Sequence, residues 1–100
     1  MKMEIGVDVI CDGALIDLRF IYDTGDLPPL QIGHRLEFEL SEPADDFVFV
    51  LEGISWEHDG QGRRLVLDGG QVHGDIENIH AMLSACPFVS NITTMKERDH

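Results

Sequence analysis

Apolar residues recur at every second position at the start of the chain, which is the pattern of half-buried β-strands, although Ile10 and Ile21 interrupt the alternation. Apolar residues occupy every odd position over 3–11 and every even position over 16–22. Asp12-Gly13 separates the two runs, and this pair is preferred in two-residue type I′ turns. We therefore expect an antiparallel hairpin whose register is set by the turn. The expected pairs are Cys11 with Ala14, Val9 with Ile16, Val7 with Leu18, and Ile5 with Phe20.

The middle of the chain predicts two further strands, joined to the hairpin by a loop that contains Pro28-Pro29. Residues 35–40 alternate, and their even positions are apolar. In residues 47–57 the apolar positions change from odd to even, and we expect a β-bulge at Glu52-Gly53 to bring both sets to the core. Glu52 is then expected to face solvent, while Trp56 is expected to face the core.

The last third of the chain predicts a turn at 59–62, a strand at 63–68 and one helix. Gly69-Gly70 is expected to end that strand. Asp75 is a favourable N-cap, and the helical spacing of apolar residues runs from Ile76 to Cys86, before Pro87. Residues 88–94 are expected to form a short final strand. The turn also predicts three cross-strand pairs: Glu57 with Arg64, Trp56 with Leu65, and Ile54 with Leu67.

These elements predict an α+β fold. The sheet is expected to be a strongly bent five- or six-stranded antiparallel β-meander, able to curl towards a small barrel, with one C-terminal α-helix packed on it. Residues 1–95 are expected to form a single domain, with 96–100 as a frayed tail.

Charge is distributed one-sidedly along this sequence. The net charge is −12, from 19 acidic and 7 basic residues. Between Arg35 and Arg63 there is no lysine or arginine. Such a balance disfavours direct binding to nucleic acids or anionic membranes, because phosphates would be repelled. It favours a basic partner, and solubility alone is the alternative explanation. The carboxylates in that interval are Glu37, Glu39, Glu42, Asp45, Asp46, Glu52, Glu57 and Asp59.

Compartment and chemistry follow from a few residues. Cys11 and Cys86 form no CxxC pair, and no signal-type apolar stretch follows Met1, so we expect a cytoplasmic protein with reduced thiols. His73, Asp75 and His80 do not have the spacing of a zinc site. No nucleophile motif or phosphate-binding loop occurs, so no catalytic residue, metal ligand or cofactor is predicted.

The sequence therefore favours a small, acidic, non-catalytic binding protein. We expect it to inhibit or mask a basic, nucleic-acid-binding protein, with carboxylates standing in for phosphates. Inhibitors carried by mobile elements, immunity proteins and antitoxins have this physical profile. Val48 and Val50 are the candidates for an apolar interface, with the partner or with a second copy in a homodimer. The expected partner-binding residues are Glu37, Glu39, Glu42, Asp45, Asp46, Glu57 and Asp59.

Two alternatives stay open. The first is a structural or accessory assembly domain of a bacterial or phage complex, in which the charge serves solubility and the valines mediate assembly. The second is a small metal-binding protein or enzyme. Binding that is lost at high salt would distinguish the acidic binding protein from the assembly domain. Stoichiometric bound metal would identify the metal-binding protein or enzyme.

Overall fold

The computed structural model describes residues 2–23, 31–38, 47–60 and 62–96, and it shows a small α+β fold. A five-stranded mixed sheet, which does not close into a barrel, is accompanied by a two-stranded sheet and one helix. The elements are β1 Lys2–Cys11, β2 Ala14–Asp23, β3 Arg35–Phe38, β4 Phe47–Val50, β5 Gly53–Asp59, β6 Gly62–His73, α1 Ile76–Ala85 and β7 Val89–Lys96.

The first hairpin is confirmed, together with its register. Asp12 and Gly13 both have positive φ, at 50° and 79°, as a type I′ turn requires. Ten residues of β1 pair with ten of β2, without a shift, from Lys2 opposite Asp23 to Cys11 opposite Ala14. The odd positions of β1 are buried up to Val9, so the predicted core face is the real one.

The expected antiparallel meander is wrong in part, because the strand order in the larger sheet is β5-β6-β1-β2-β7. The β1–β6 pair is parallel, whereas β1–β2, β5–β6 and β2–β7 are antiparallel. A parallel neighbour needs a long crossover connection, and the chain between β1 and β6 supplies one. The crossover lets β6 form backbone hydrogen bonds with the second edge of β1, so β1 is the central strand of the sheet.

The single bulged strand expected over 47–57 is also wrong, because the chain changes sheets there. Leu51 N–H still donates to His34 O at 2.8 Å, which continues the β3–β4 ladder. Glu52 N–H already donates to Asp68 O at 2.7 Å, beside β6. The apolar phase changes because β4 and β5 belong to different sheets. Trp56, expected inside, is 50% exposed on the edge strand β5, although its predicted pairing with Leu65 is confirmed.

Gly69-Gly70 does not end the strand, contrary to expectation. β6 continues to His73, and the two glycines form a bulge opposite Val7 of β1. Gly70 has a φ of 68°, which favours glycine. Gly69 is buried, and a Cβ there would lie 2.7 Å from Val7 Cγ2.

The core lies on one face of the larger sheet. Phe47, Phe49 and Leu51 pack there from the β4 segment. The helix adds Ile79, Met82 and Leu83 to the same cluster. Asp75 caps the helix as predicted, because its Oδ1 accepts a hydrogen bond from Glu77 N–H at 3.0 Å. The central residues of the cluster are Ile5, Val7, Val9, Leu18, Phe20 and Leu67.

The final strand is longer than expected, and it reaches Lys96, which was assigned to the tail. β7 pairs with β2 and forms one edge of the larger sheet. Its register shifts between Arg19 and Ile21, where Asn91 has a φ of 52°. This shift is a β-bulge, which leaves two β7 residues opposite one β2 residue.

Candidate functional site

The polar positions of four neighbouring strands share the face opposite the core. Side chains alternate along a strand, so the even residues of β1 lie opposite the buried odd ones. Gly6 lies at the centre of this outer face, opposite Arg19 of β2 on one side and Asp68 of β6 on the other. Glu4 and Asp8 lie two residues before and after it. The register and the pleat of the sheet therefore bring charged side chains together from separate parts of the sequence.

These residues line an open groove with a volume of about 430 Å³. Gly6 leaves room at its floor, because a Cβ there would meet only Leu67 O, at 4.0 Å. Among the described residues, those that line the groove belong to β1, β2, β5 and β6, while α1 and β4 pack on the core face. Its charged lining residues are Glu4, Asp8, Asp17, Arg19, Glu57 and Asp68.

Arg19 is the only basic residue that lines the groove within the part of the chain that the structure describes. Its Nε lies 3.2 Å from Asp17 Oδ2, and the Arg19 side chain is 58% exposed. The hydrogen bond and the charge of Asp17 raise the pKa of Arg19 above its usual value, with smaller effects from Glu4 and Glu57. The guanidinium is thus a fixed positive charge among carboxylates.

The carboxylates of the groove are crowded, and none of them is fully buried. Asp8 and Asp17 are directly opposite each other in the β1–β2 ladder, and like charges in such pairs are unfavourable. Glu57 and Asp68 are exposed. Glu4, Asp8 and Asp17 are half-buried, and none of the five carboxylates is fully shielded from water, as one carboxylate of an acid–base pair commonly is. What the groove can offer is a negative, concave surface for a cation.

Metal binding has no geometric support in the described ranges: no group of three or more histidine, cysteine, aspartate or glutamate side chains there is disposed to hold an ion. Asp68 is already engaged, because its Oδ1 accepts a hydrogen bond from Gly70 N–H at 2.9 Å. On the helix, Ser84 Oγ lies 3.4 Å from His80 Nδ1, and both residues are exposed.

The predicted acidic residues do not form one strip along the described strands. Glu57 lines the groove, whereas Glu37 belongs to the smaller sheet, opposite Val48 of β4. Asp59 is the last residue of β5, opposite Gly62. The charged interval is therefore divided between the two sheets. Glu39, Glu42, Asp45 and Asp46 lie outside the described residues.

The candidate apolar interface lies elsewhere, on the outside of the smaller sheet. Phe47 and Phe49 are buried, Val48 is half-buried and Val50 is 50% exposed. The prediction that the two valines face away from the core is confirmed. Glu52 is exposed, also as predicted.

Several groove residues were not singled out from the sequence. The alternation in the hairpin was a usable signal for Glu4, Asp8 and Asp17, because the residues between buried ones must share the opposite face. Asp68 had no such signal, since it joins them only through the parallel β1–β6 pair.

No protein-family model, curated protein or solved structure gave a significant match to this chain. Among the residues described, no helix is both long and apolar enough to span a membrane.

Proposed function

We propose that this chain is a non-catalytic binding protein that masks or inhibits a basic protein, and that the acidic groove receives the partner's cationic side chains. The observation that carries the proposal is the groove itself, in which Glu4, Asp8, Asp17, Glu57 and Asp68 surround one arginine on an open sheet face. A partner whose basic surface binds nucleic acid fits this chemistry, because carboxylates can occupy the positions of phosphates. The cytoplasmic location and the bacterial or phage origin that were expected from the sequence are part of the same proposal.

The proposal moves the centre of binding from the interval 37–59 to the hairpin and β6. Glu57 belongs to both sets of residues. Net charge supports fast, steered association with a basic surface, since long-range attraction acts before contact. The concave shape adds selectivity, because a protruding arginine or lysine side chain can enter the groove, whereas a flat basic surface cannot.

Val50 favours a second candidate function, that of an accessory domain in an assembly. Its side chain is 50% exposed on the smaller sheet, and exposed apolar residues mark interfaces when they cluster. Under this alternative, Val50→Lys abolishes assembly while changes in the groove have little effect. Salt would strengthen such contact or leave it unchanged.

The test of the main proposal compares two variants that gain the same charge. Ser55 is exposed and lines the groove, so Ser55→Lys places a cation where the partner's cation would lie. Asn78 is exposed on the helix, so Asn78→Lys makes the same charge change outside the groove. Thermal unfolding of both variants controls for folding.

Each protein is used to capture partners from nuclease-treated lysate at low and at high salt, with identification by mass spectrometry. The proposal predicts a dominant basic protein that is retained by wild type and Asn78→Lys. It predicts that the same protein is lost with Ser55→Lys and at high salt. Capture that is equal for Ser55→Lys and wild type would contradict the role of the groove.

A further inference from the structure

β7 differs from the other strands of the larger sheet in its charge. It contains no carboxylate, and its one charged residue is Lys96 at the end. The opposite edge strand, β5, contains Glu57 and Asp59. Charged residues on an edge strand protect it from pairing with another chain. In a protein of net charge −12, β7 is therefore an edge without negative charge, and beyond its bulge it lacks the acidic protection found on β5.

The outer side of β7 is also accessible. β7 pairs with β2 on one side only, and no strand in the described ranges pairs with its other side. Ser90, Thr93 and Thr94 are exposed, and Met95 is 70% exposed. We propose that β7 pairs antiparallel with β7 of a second copy of this chain, which joins the two sheets into one ten-stranded sheet.

The bulge at Asn91 decides the register of this pairing. Only regular backbone can form a continuous ladder, and the regular pairing of β7 after the bulge at Asn91-Ile92 runs from Thr93 to Lys96. A two-fold axis at Thr94 pairs residues 93–95 with the same residues of the second copy. Thr94 then lies opposite Thr94 of the second copy, while Thr93 lies opposite its Met95. Met95, the most exposed large apolar side chain among the described residues, is thereby covered in each copy by Thr93 of the other.

Electrostatics favours this edge over the others for self-association. Two β7 strands would separate the two β2 strands by three inter-strand spacings, or roughly 14 Å. The Asp17 residues of the two copies are thus farther apart than the screening length of about 8 Å at physiological salt. Pairing through β5 would instead bring Glu57 and Asp59 next to their copies. A three-residue ladder buries little surface, so the dimer is weak and its population depends on concentration.

The proposed dimer would present both acidic grooves on the same side of the continuous sheet, because the two-fold axis is perpendicular to it. Two grooves in fixed relation can engage two cationic elements of one partner, which raises avidity without new contacts. The dimer itself does not depend on the proposed function of the groove.

Sedimentation analysis over a dilution series tests the dimer with three variants. Thr94→Glu puts two like charges directly opposite each other across the axis and is expected to weaken association at least tenfold. Thr94→Gln is the uncharged control at the same position, and Val50→Glu makes the same charge change on the other candidate interface. Thermal unfolding checks that Thr94→Glu remains folded, as expected for an exposed residue.

We expect wild type, Thr94→Gln and Val50→Glu to dimerise, with association strengthened by salt because repulsion between acidic copies is screened. Binding of a basic partner should instead weaken with salt, so the two proposals can fail separately. A wild-type protein that stays monomeric throughout, or a Thr94→Glu protein that dimerises like wild type, overturns the β7 pairing. Loss of the dimer in Val50→Glu alone assigns it to the smaller sheet and also overturns it.

Disulfide trapping checks the register independently. With Cys11 and Cys86 replaced by alanine, Thr94→Cys is expected to form an intermolecular disulfide, since self-opposed residues in a ladder lie within bonding range. Ser90→Cys, on the other side of the bulge, is expected not to. Equal trapping at both positions, or none at Thr94→Cys, contradicts the register.

Discussion

Arg19 Nε lies 3.2 Å from Asp17 Oδ2, two residues away on the outer face of β2. The hydrogen bond with Asp17 raises the pKa of Arg19. A raised folded-state pKa adds stability below the ordinary arginine value, and this is lost only as pH rises through the raised value. The contribution is therefore constant across the neutral range, where salt rather than pH controls it.

Arg19→Gln tests the strength of this ion pair. The side chains are exposed or half-buried, so we expect the free energy of unfolding to fall by no more than about 1 kcal/mol at low salt. The loss should shrink in high salt, as measured by urea unfolding at two salt concentrations. Arg35→Gln, on the smaller sheet, is the control with the same charge change. A large loss that salt does not reduce would mean that Arg19 stabilises the fold in another way.

Gly6→Val tests whether the groove acts through its shape as well as its charge. The valine side chain would fill the floor, because a Cβ at Gly6 meets nothing closer than 4.0 Å. Glycine inside a strand costs roughly 0.5–1 kcal/mol, so we expect stability to be unchanged or slightly raised. Binding of the captured basic protein should nevertheless weaken at least tenfold, measured by calorimetry. Unchanged affinity in a folded variant would contradict binding at the groove floor.

Gly69→Ala tests the packing under the bulge. A Cβ at this position would lie 2.5 Å from Phe49 Cδ2 and 2.7 Å from Val7 Cγ2, too close for either contact. We expect a loss of about 1–3 kcal/mol in the free energy of unfolding, as for other overpacked cores. Gly60→Ala is the control, since nothing lies within 4 Å of a Cβ there. Equal stability of the two variants would show that β4 does not pack on the bulge as described.

Asp75→Ala tests the helix cap. Its Oδ1 accepts a hydrogen bond from Glu77 N–H at 3.0 Å, so its loss leaves a helix-terminal donor without that partner. We expect a cost of about 1 kcal/mol by urea unfolding. Asn78→Ala, on the exposed side of the same helix, should be neutral or slightly stabilising. Unchanged stability of Asp75→Ala would contradict a stabilising role of the Asp75 cap.

Local sequence patterns predicted the elements better than their arrangement. The hairpin register and the Asp75 cap were predictable because turn chemistry and capping act over a few residues. The α+β class followed from the order of strands and helix. The parallel β1–β6 pair was not predictable, since no local pattern states which edge a distant strand will join.

The change of sheet at residues 51–52 explains why a single bulged strand over 47–57 was wrongly predicted. A phase change in an apolar pattern arises equally from a bulge within a strand and from passage to another sheet. For the same reason, consecutive acidic residues did not predict a surface. Glu57 lines the groove, but the other charged groove residues come from the hairpin and from β6, and only the three-dimensional register unites them.

The most direct test of the central claim is an NMR titration of the labelled protein with a short oligo-arginine peptide. We expect amide shifts concentrated on the groove strands, near Gly6, Ser55 and Asp68, and reversed by salt. Acidic positions on the helix, such as Glu77, should respond much less. Shifts spread evenly over acidic positions, or centred away from these strands, would contradict a cation-binding groove.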